Sequence, residues 1–179
     1  IDGISINEKN LRSWQNSIGF VAQNIFLSEA TFAENVAFGI SAKEIDLQKV
    51  QKALELASLS VFIDTLEDGM HTKVGERGVQ LSGGQRQRVG IARALYHEAE
   101  VLVFDEATSS LDGITEKVIM ESIDSLNGKK TIIIVAHRLK TIQNCDNIFF
   151  IDEGKVIDHG TYHELIKKNE HFKNMSLNS

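Results

Sequence analysis

The second half of the chain contains two short apolar runs, "VLVF" (101–104) and "TIIIVA" (131–136). Continuous apolar runs of this length are typical of parallel strands with helices on both faces, so we predict two fully buried strands. Between them the apolar positions recur at helical spacing: Ile114, Val118, Ile119, Ile123 and Leu126. Asp112 is a suitable N-cap for this helix and Gly128 a suitable stop. The pattern predicts a strand–helix–strand unit with a right-handed crossover.

A hairpin is predicted after this unit. "NIFFID" (147–152) and "KVIDHG" (155–160) are separated only by Glu153 and Gly154. A connection this short favours an antiparallel pair of strands.

The segment 24–98 is mainly helical in pattern. Thr31 and Glu34 have the spacing of a capping box. A second helix is indicated by apolar residues at helical spacing: Ile45, Val50, Leu54 and Ala57. Within this segment only residues 72–74 resemble a strand. We therefore predict an α/β core made of 1–23 and 99–170, an inserted helical subdomain at 24–98, and a fraying tail at 171–179.

Composition and charge narrow the possible functions. The net charge is −6, which argues against a general nucleic-acid binder, although Arg86, Arg88 and Arg93 form a local basic group in sequence. Cys145 is the only cysteine, so no intrachain disulfide is possible and a reducing compartment is expected. No apolar run approaches the ~20 residues that span a bilayer.

The segment "LSGGQRQRVGIARAL" (81–95) is the first candidate site. Ser82 and Gln85 have the spacing of a capping box, which by itself is a structural feature. A cap does not require Gly83 and Gly84, whereas close approach of a ligand to the bare backbone does. The N–H groups at the start of a helix attract phosphate, and Arg86 and Arg88 add positive potential. Cap and anion site both remain open.

Asp105 and Glu106 follow the strand "VLVF" directly. The carboxyl end of a parallel strand is where α/β folds bind ligands, and an Asp there resembles the residue that holds Mg²⁺ in P-loop NTPases. Glu106 is placed to polarise a water for attack on phosphorus. The plainer alternative is that both acids simply end the strand.

Two more polar residues end apolar runs, Gln23 after "IGFVA" and His137 after "TIIIVA". Alone, Gln23 indicates little and His137 is more often structural, although it follows a strand predicted to neighbour that of Asp105. His159 and His163 are four residues apart and are expected to face solvent, since no third metal ligand accompanies them.

Together, "LSGGQRQR", "VLVFDEATSSLD" and "TIIIVAHRL", in this order, closely resemble the nucleotide-binding domain of ABC transporters. The resemblance implies a P-loop NTPase (RecA-like) parallel-sheet core with an inserted helical subdomain. Gln23 then corresponds to the Q-loop, 81–85 to the signature motif, 109–112 to the D-loop and His137 to the switch histidine, with Asp105 and Glu106 as Walker B. "TKVGERG" (72–78) resembles the loop that touches the membrane domain in exporter-type members.

The same resemblance implies a division of roles among these residues. ATP and Mg²⁺ are the expected cofactors, with Gln23 and Asp105 serving the metal and Glu106 and His137 acting in hydrolysis. The nucleotide-binding residues are Ser82, Gly83, Gly84, Gln85 and Asp112, and the first three cradle the γ-phosphate of ATP held by a partner domain. The implied partners are a second nucleotide-binding domain, in a head-to-tail dimer, and a transmembrane domain. The implied location is the cytoplasmic face of a membrane.

One family motif is missing, because no G-x-x-x-x-G-K-[ST] occurs in the sequence. We expect that the chain lacks the N-terminal part of the domain with the Walker A P-loop, and that alone it does not hydrolyse ATP. Missing strands also predict exposed apolar faces and self-association. Two alternatives remain: a non-catalytic interaction fragment of the same fold, and an ABC-type ATPase that acts on DNA. The second is disfavoured by the short interval without heptads between Gln23 and Leu81.

Overall fold

The computed structural model describes residues 1–75, 78–108 and 110–177, which divide into two compact units, Ile1–Ile133 and Ile134–Ser179. The elements in chain order are α1 (Leu11–Asn16), β1 (Ile18–Val21), α2 (Phe32–Val36), α3 (Leu47–Leu56), α4 (Ser60–Ile63), α5 (Gly83–Tyr96), β2 (Val101–Asp105), α6 (Gly113–Asp124), β3 (Thr131–Val135), β4 (Ile148–Asp152), β5 (Lys155–Gly160), α7 (Tyr162–Lys168) and α8 (Glu170–Leu177). Across these described ranges, no helix has both the length and the apolar character needed to cross a membrane.

A three-stranded sheet in the order β1-β2-β3 contains both predicted strands. β1 runs parallel to β2, in a register that pairs Ile18 with Val101. Leu102 and Phe104 are buried, but Ile133 is 48% and Val135 49% exposed. Full burial is therefore wrong for both runs, because Val101 and Val103 of β2 are only half-buried and β3 alternates between exposed and half-buried positions along its length. Its β-branched residues reflect strand propensity, which does not require cover on both faces.

Helix α5 lies against β1, and a glycine allows the close approach. A Cβ on Gly19 would lie 2.9 Å from Cδ2 of Leu102 and 3.2 Å from the carbonyl oxygen of Ala94. The buried side chain of Gln87 on α5 donates to the carbonyl oxygen of Ala22, just beyond β1, at 3.1 Å. Since an unpaired buried carbonyl is costly, this bond fixes the helix to the end of the strand.

The helical segment follows the sequence pattern with two corrections. The Thr31–Glu34 capping box is confirmed, and its hydrogen bonds lower the pKa of Glu34 below the ordinary range. Helix α3 is confirmed, but it begins after an Asp46 N-cap, so Ile45 lies outside it. Residues 72–74 form no strand; Lys73 and Val74 make only isolated bridges. The other three apolar positions predicted for α3, Val50, Leu54 and Ala57, are buried, and Ala57 is the C-cap just beyond the end of the helix.

Helix α6 begins after Asp112 as predicted, although its buried face is narrower than the sequence pattern indicated. Ile119 and Ile123 are buried, whereas Ile114 is 82% and Val118 43% exposed. The helix ends at Asp124, before Gly128. Its buried residues are thus a single i, i+4 pair; Ile114 and Val118 lie on the exposed side, and the half-buried Leu126 lies beyond the end of the helix.

In the second unit, β4 and β5 form the predicted antiparallel hairpin. Its turn residues Glu153 and Gly154 both have positive φ, 46° and 73°, as a tight hairpin turn requires. Residues 171–177, predicted to fray, belong instead to helix α8, where Phe172 is buried. It packs in a small apolar core with Leu139, Ile142, Ile148 and Leu165. The functional division into a core and an inserted subdomain stays a prediction.

Asn35 on α2 is a buried polar residue that the sequence pattern did not single out. Its Oδ1 accepts from the backbone N–H of Ser28 at 2.9 Å, and its Nδ2 donates to the carbonyl oxygens of Ser28 and Thr31 at 3.1 and 3.0 Å. The side chain is fully buried, so it satisfies backbone groups that water cannot reach.

We expect N35A to lower the free energy of unfolding by about 2–4 kcal/mol, because these backbone groups would be left without partners. Urea denaturation measures the loss. N127A is the control, because Asn127 is exposed and its Oδ1 accepts from the N–H of the next residue, Gly128. This substitution should change the free energy of unfolding by less than about 0.5 kcal/mol. Equal losses in both variants would contradict the assignment.

Asp158 on β5 gives the second unit a pH-dependent contact. Lys168 donates to its Oδ1 at 2.7 Å, and this bond is the main cause that lowers the pKa of Asp158 below its ordinary value of 3.8. A carboxylate with a lowered pKa stabilises the fold above that ordinary value and loses this effect as the pH falls through the lowered pKa.

We therefore expect D158N to melt at a lower temperature than the wild type at pH 6, and the difference to shrink below pH about 4. Thermal melts at a series of pH values test this. D146N, at an exposed aspartate of the same unit, should show no such trend. A difference that is constant with pH would count against an ionic origin.

Candidate functional site

The carboxyl ends of β1 and β2 lie side by side because the strands are parallel and Val21 pairs with Phe104. Gln23 lies two residues beyond β1, Asp105 ends β2, and Glu106 follows it. Nε2 of Gln23 donates to Oε2 of Glu106 at 2.7 Å. Two residues that are 83 positions apart, and that the sequence proposed separately, are thus in direct contact.

Glu106 has a φ of +49°, in the left-handed region that residues other than glycine rarely adopt. The two residues that follow, Ala107 and Thr108, are buried. The backbone closes into a turn where the N–H of Leu111 donates to the carbonyl oxygen of Thr108 at 3.0 Å. Packing and hydrogen bonds therefore hold Glu106 in a disfavoured backbone conformation, as is common at functional sites.

Ser82 caps helix α5, which confirms the capping box. Its Oγ accepts from the N–H of Gln85 at 3.2 Å, and its own N–H donates to Oε1 of Gln85 at 2.8 Å. Ser82 and Gly83 are exposed. A long helix thus begins at the surface, with a fixed geometry and with its first N–H groups turned outward.

The two glycines at the start of α5 have different surroundings. A Cβ on Gly84 would lie 3.3 Å from the carbonyl oxygen of Ser110 and 3.4 Å from Cδ2 of Leu111. A Cβ on Gly83 would have Ser110 Cβ as its nearest neighbour, at 3.8 Å, an ordinary contact. Gly84 is therefore required by the loop of the same chain that packs on it, and only Gly83 leaves space for a ligand.

The arginines do not form the common basic group that their spacing indicated. Arg88 donates to the carbonyl oxygen of Ser58 at 2.7 Å, and Arg93 to those of Asn35 and Phe26 at 2.8 and 3.0 Å. Burial lowers the pKa of both guanidinium groups. They connect α5 to neighbouring backbone, and the exposed Arg86 likewise donates to the carbonyl oxygen of Leu81 at 3.2 Å.

The family model described as "ABC transporter" matches residues 1–109, more than half of the chain. The chain belongs to the ABC transporter family. The resemblance read from its motifs is confirmed.

Similar proteins come from bacteria and a fungus. The ATP-dependent lipid A-core flippase of Cupriavidus pinatubonensis (strain JMP 134 / LMG 1197) is 44% identical over 170 residues, which cover 94% of this chain and 29% of the flippase. The ABC-type transporter fsqE of Aspergillus fumigatus (strain ATCC MYA-4609 / CBS 101355 / FGSC A1100 / Af293) is 46% identical over 175 residues, covering 94% of this chain and 14% of the transporter.

A solved structure of a bacterial Atm1-family ABC exporter with ATP bound matches with a TM-score of 0.86 and 35% identity, covering 93% of this chain and 29% of that chain. This likeness confirms the predicted α/β P-loop NTPase fold. The chain spans less than a third of the length of these relatives.

Asp112, the last residue of the segment 109–112 that resembles the D-loop, caps helix α6. Oδ1 of Asp112 accepts from the N–H groups of Ile114 and Thr115, and its Oδ2 from the Thr115 hydroxyl at 2.7 Å. The bond from the Thr115 N–H is the main cause of the lowered pKa of Asp112. Ser109 lies outside the described residues, as do Glu76 and Arg77 of the 72–78 loop. A direct contact of Asp112 with nucleotide stays a prediction.

The switch histidine, His137, lies two residues beyond β3 in the second unit and is exposed. Its approach to phosphate stays a prediction. His159 and His163 are exposed as expected, but they lie on β5 and α7 and so do not share a helix.

Among the described residues, no group of three or more His, Cys, Asp and Glu side chains is arranged to hold a metal ion. Asp105 ends the strand beside which Gln23 lies, and carboxylate and amide oxygens are ligand types that Mg²⁺ accepts. The assignment of this pair to Mg²⁺ stays a prediction.

Motif analysis missed Thr108 and Glu116. Oγ1 of Thr108 donates to Oε1 of Glu116 at 2.8 Å. The two are eight residues apart, with a turn and a helix start between them, so neither strand nor helix periodicity marks the pair.

We expect G84V to lower the free energy of unfolding by about 1–3 kcal/mol, because its side chain would collide with Ser110 and Leu111. G83V is the matched control and should cost less than about 1 kcal/mol, since the nearest neighbour of a Cβ on Gly83 would be at 3.8 Å, an ordinary contact distance. Urea denaturation of both variants measures the difference. The reverse order of the two losses would contradict this account of the glycine pair.

Proposed function

We propose that this chain is part of the ATP-binding and ATP-hydrolysing domain of an ABC exporter, which couples ATP hydrolysis to transport across a membrane. The observation that carries the proposal is the 2.7 Å contact between Gln23 and Glu106, beside Asp105, in a chain of the ABC transporter family. The proposal is also supported by the likeness to an exporter structure that has ATP bound.

In this proposal Asp105 and Gln23 hold Mg²⁺. A bound Mg²⁺ neutralises the charge that develops on the transferred phosphoryl oxygens. The side chain of Gln23 suits a double role, because Nε2 donates to Glu106 while an amide also carries an acceptor oxygen for the cation.

Glu106 polarises the attacking water, and His137 stabilises the charge of the transition state. The bond from Gln23 and the constrained backbone at residue 106 both fix the direction of the carboxylate. Pre-set orientation of this kind lowers the barrier to in-line attack, since less freedom is lost when the water is bound.

The exposed start of α5 serves a second half-site. Ser82, Gly83 and Gly84 present helix N–H groups to the γ-phosphate of ATP that is held by a partner nucleotide-binding domain, in a head-to-tail dimer. Gln85 and Asp112 act at the same interface by fixing the backbone around it through their caps. The absence of any contact closer than 3.8 Å at the Cβ position of Gly83 supports this assignment.

The remaining partner is a transmembrane domain, to which the 72–78 loop contributes a contact, so the chain works at the cytoplasmic face of the membrane. The relatives' names indicate transport and lipid A-core flipping for those proteins. An ABC-type ATPase acting on DNA is less well supported, because the longest described helix between Gln23 and β2 is α5, with 14 residues. A full-length protein that keeps this fold without catalysis is disfavoured by the ordered contact at Glu106, although the chain alone is expected to be inactive.

Calorimetry with MgATP tests the half-site. The 179-residue chain should show no detectable binding, because it has no P-loop sequence to hold the β- and γ-phosphates. In the full-length transporter, E106Q should lower kcat by at least about 100-fold while ATP binding is retained, because Gln keeps the shape and loses the base.

The control is E100Q, at an exposed carboxylate just before the opposite end of β2, which should retain wild-type turnover. Tight MgATP binding by the isolated chain would contradict the half-site. Full turnover in E106Q would overturn the role of Glu106.

A further inference from the structure

The turn after β2 is connected to helix α6 by a side-chain contact that has no part in the roles proposed so far. Thr108 is buried, and its Oγ1 donates to Oε1 of the half-buried Glu116 at 2.8 Å. A hydroxyl–carboxylate hydrogen bond is charge-assisted, and shielding from solvent strengthens it. It therefore holds a defined position in the turn against a rigid helix.

Two backbone hydrogen bonds flank this contact, one in the turn after β2 and one at the start of α6. The N–H of Leu111 donates to the carbonyl oxygen of Thr108 at 3.0 Å, and the N–H of Glu116 to that of Asp112 at 2.8 Å. Thr108, Leu111 and Asp112 are thus all fixed relative to the first turn of α6. Glu106 precedes Thr108 by only two residues, and its φ of +49° needs such support from its surroundings.

The same turn also meets the signature helix. The carbonyl oxygen of Ser110 and the side chain of Leu111 lie where a Cβ on Gly84 would be in close contact. The turn is therefore held from two sides, by α5 through packing and by α6 through Glu116. Loss of either side would let the segment that carries Glu106 relax.

We propose that Glu116 is a positioning residue: by accepting the Thr108 hydroxyl it holds Thr108 and, through the bond from the Leu111 N–H, Leu111, and in this way it sets the direction of the Glu106 carboxylate two residues before Thr108. The inference rests on the proposed function, in which Glu106 polarises the attacking water. In this proposal Glu116 acts through Thr108 and has no direct part in the reaction. A carboxylate in the first turn of a helix also stabilises the helix through its dipole. The test must therefore separate the effect of the hydrogen bond from the effect of the negative charge.

Four variants make that separation. T108V and E116A remove the contact from either side, whereas T108S and E116Q keep a donor and an acceptor, and E116Q removes the charge. E121A is the matched control on the same helix, because Glu121 is exposed and its ion pair with Lys117 is long, at 3.9 Å.

The first readout is hydrogen exchange of the Leu111 amide in the chain without nucleotide. T108V and E116A should raise its exchange rate about three- to tenfold, while T108S, E116Q and E121A stay near the wild type. The double variant T108V/E116A should exchange no faster than either single variant, because the two substitutions remove the same hydrogen bond. Unchanged exchange in T108V and E116A would overturn the proposal.

The second readout is ATP turnover by the full-length transporter. T108V and E116A should lower kcat about tenfold or more with KM for ATP nearly unchanged, and E116Q should restore kcat. Faster exchange with wild-type kcat would overturn the positioning role. A wild-type transporter without ATPase activity would refute the proposed function instead, and the exchange rates would then still decide whether Glu116 holds the turn.

Discussion

The close packing of helix α5 on strand β1 is the constraint on which the rest of the first unit depends. It is possible because Gly19 has no side chain at the contact with Leu102 and the Ala94 carbonyl. The buried Gln87 adds a bond to Ala22, immediately before Gln23. One helix therefore positions both the exposed Ser82 and Gly83 at its own start and the strand end beyond which Gln23 lies.

The arginines on α5 extend the same constraint. Arg88 donates to the carbonyl oxygen of Ser58, and Arg93 to that of Asn35. Carbonyl groups in short loops and at helix ends often have no partner within their own segment, and the two arginines supply one. Side chains that look like an anion-binding group in the sequence thus act mainly as links between pieces of backbone. The part of α5 proposed to bind an anion is its start, where Ser82 and Gly83 are exposed.

The sequence predicted the elements whose signals are local. The capping boxes at Thr31 and Ser82, the Asp112 cap and the Glu153–Gly154 turn depend on residues at most three positions apart, and all are present. The failures concern which side of an element is covered, as at Ile133 and Ile114, or a contact at long range. The motif order identified the family and proposed Gln23 and Glu106, but their hydrogen bond, and that of Thr108 with Glu116, depends on how strands and turns meet in space.

The left-handed backbone at Glu106 limits what can replace this residue. Asparagine, aspartate and glycine adopt positive φ at small cost, and glutamine differs from glutamate only in its terminal atoms, whereas valine, isoleucine and threonine are strongly disfavoured there. Replacement by a β-branched residue would therefore disturb the turn as well as remove the carboxylate. Two properties therefore restrict the residue at position 106: its carboxylate, and its ability to adopt a positive φ. The residue type that a homologue has at this position shows which of the two properties that homologue keeps.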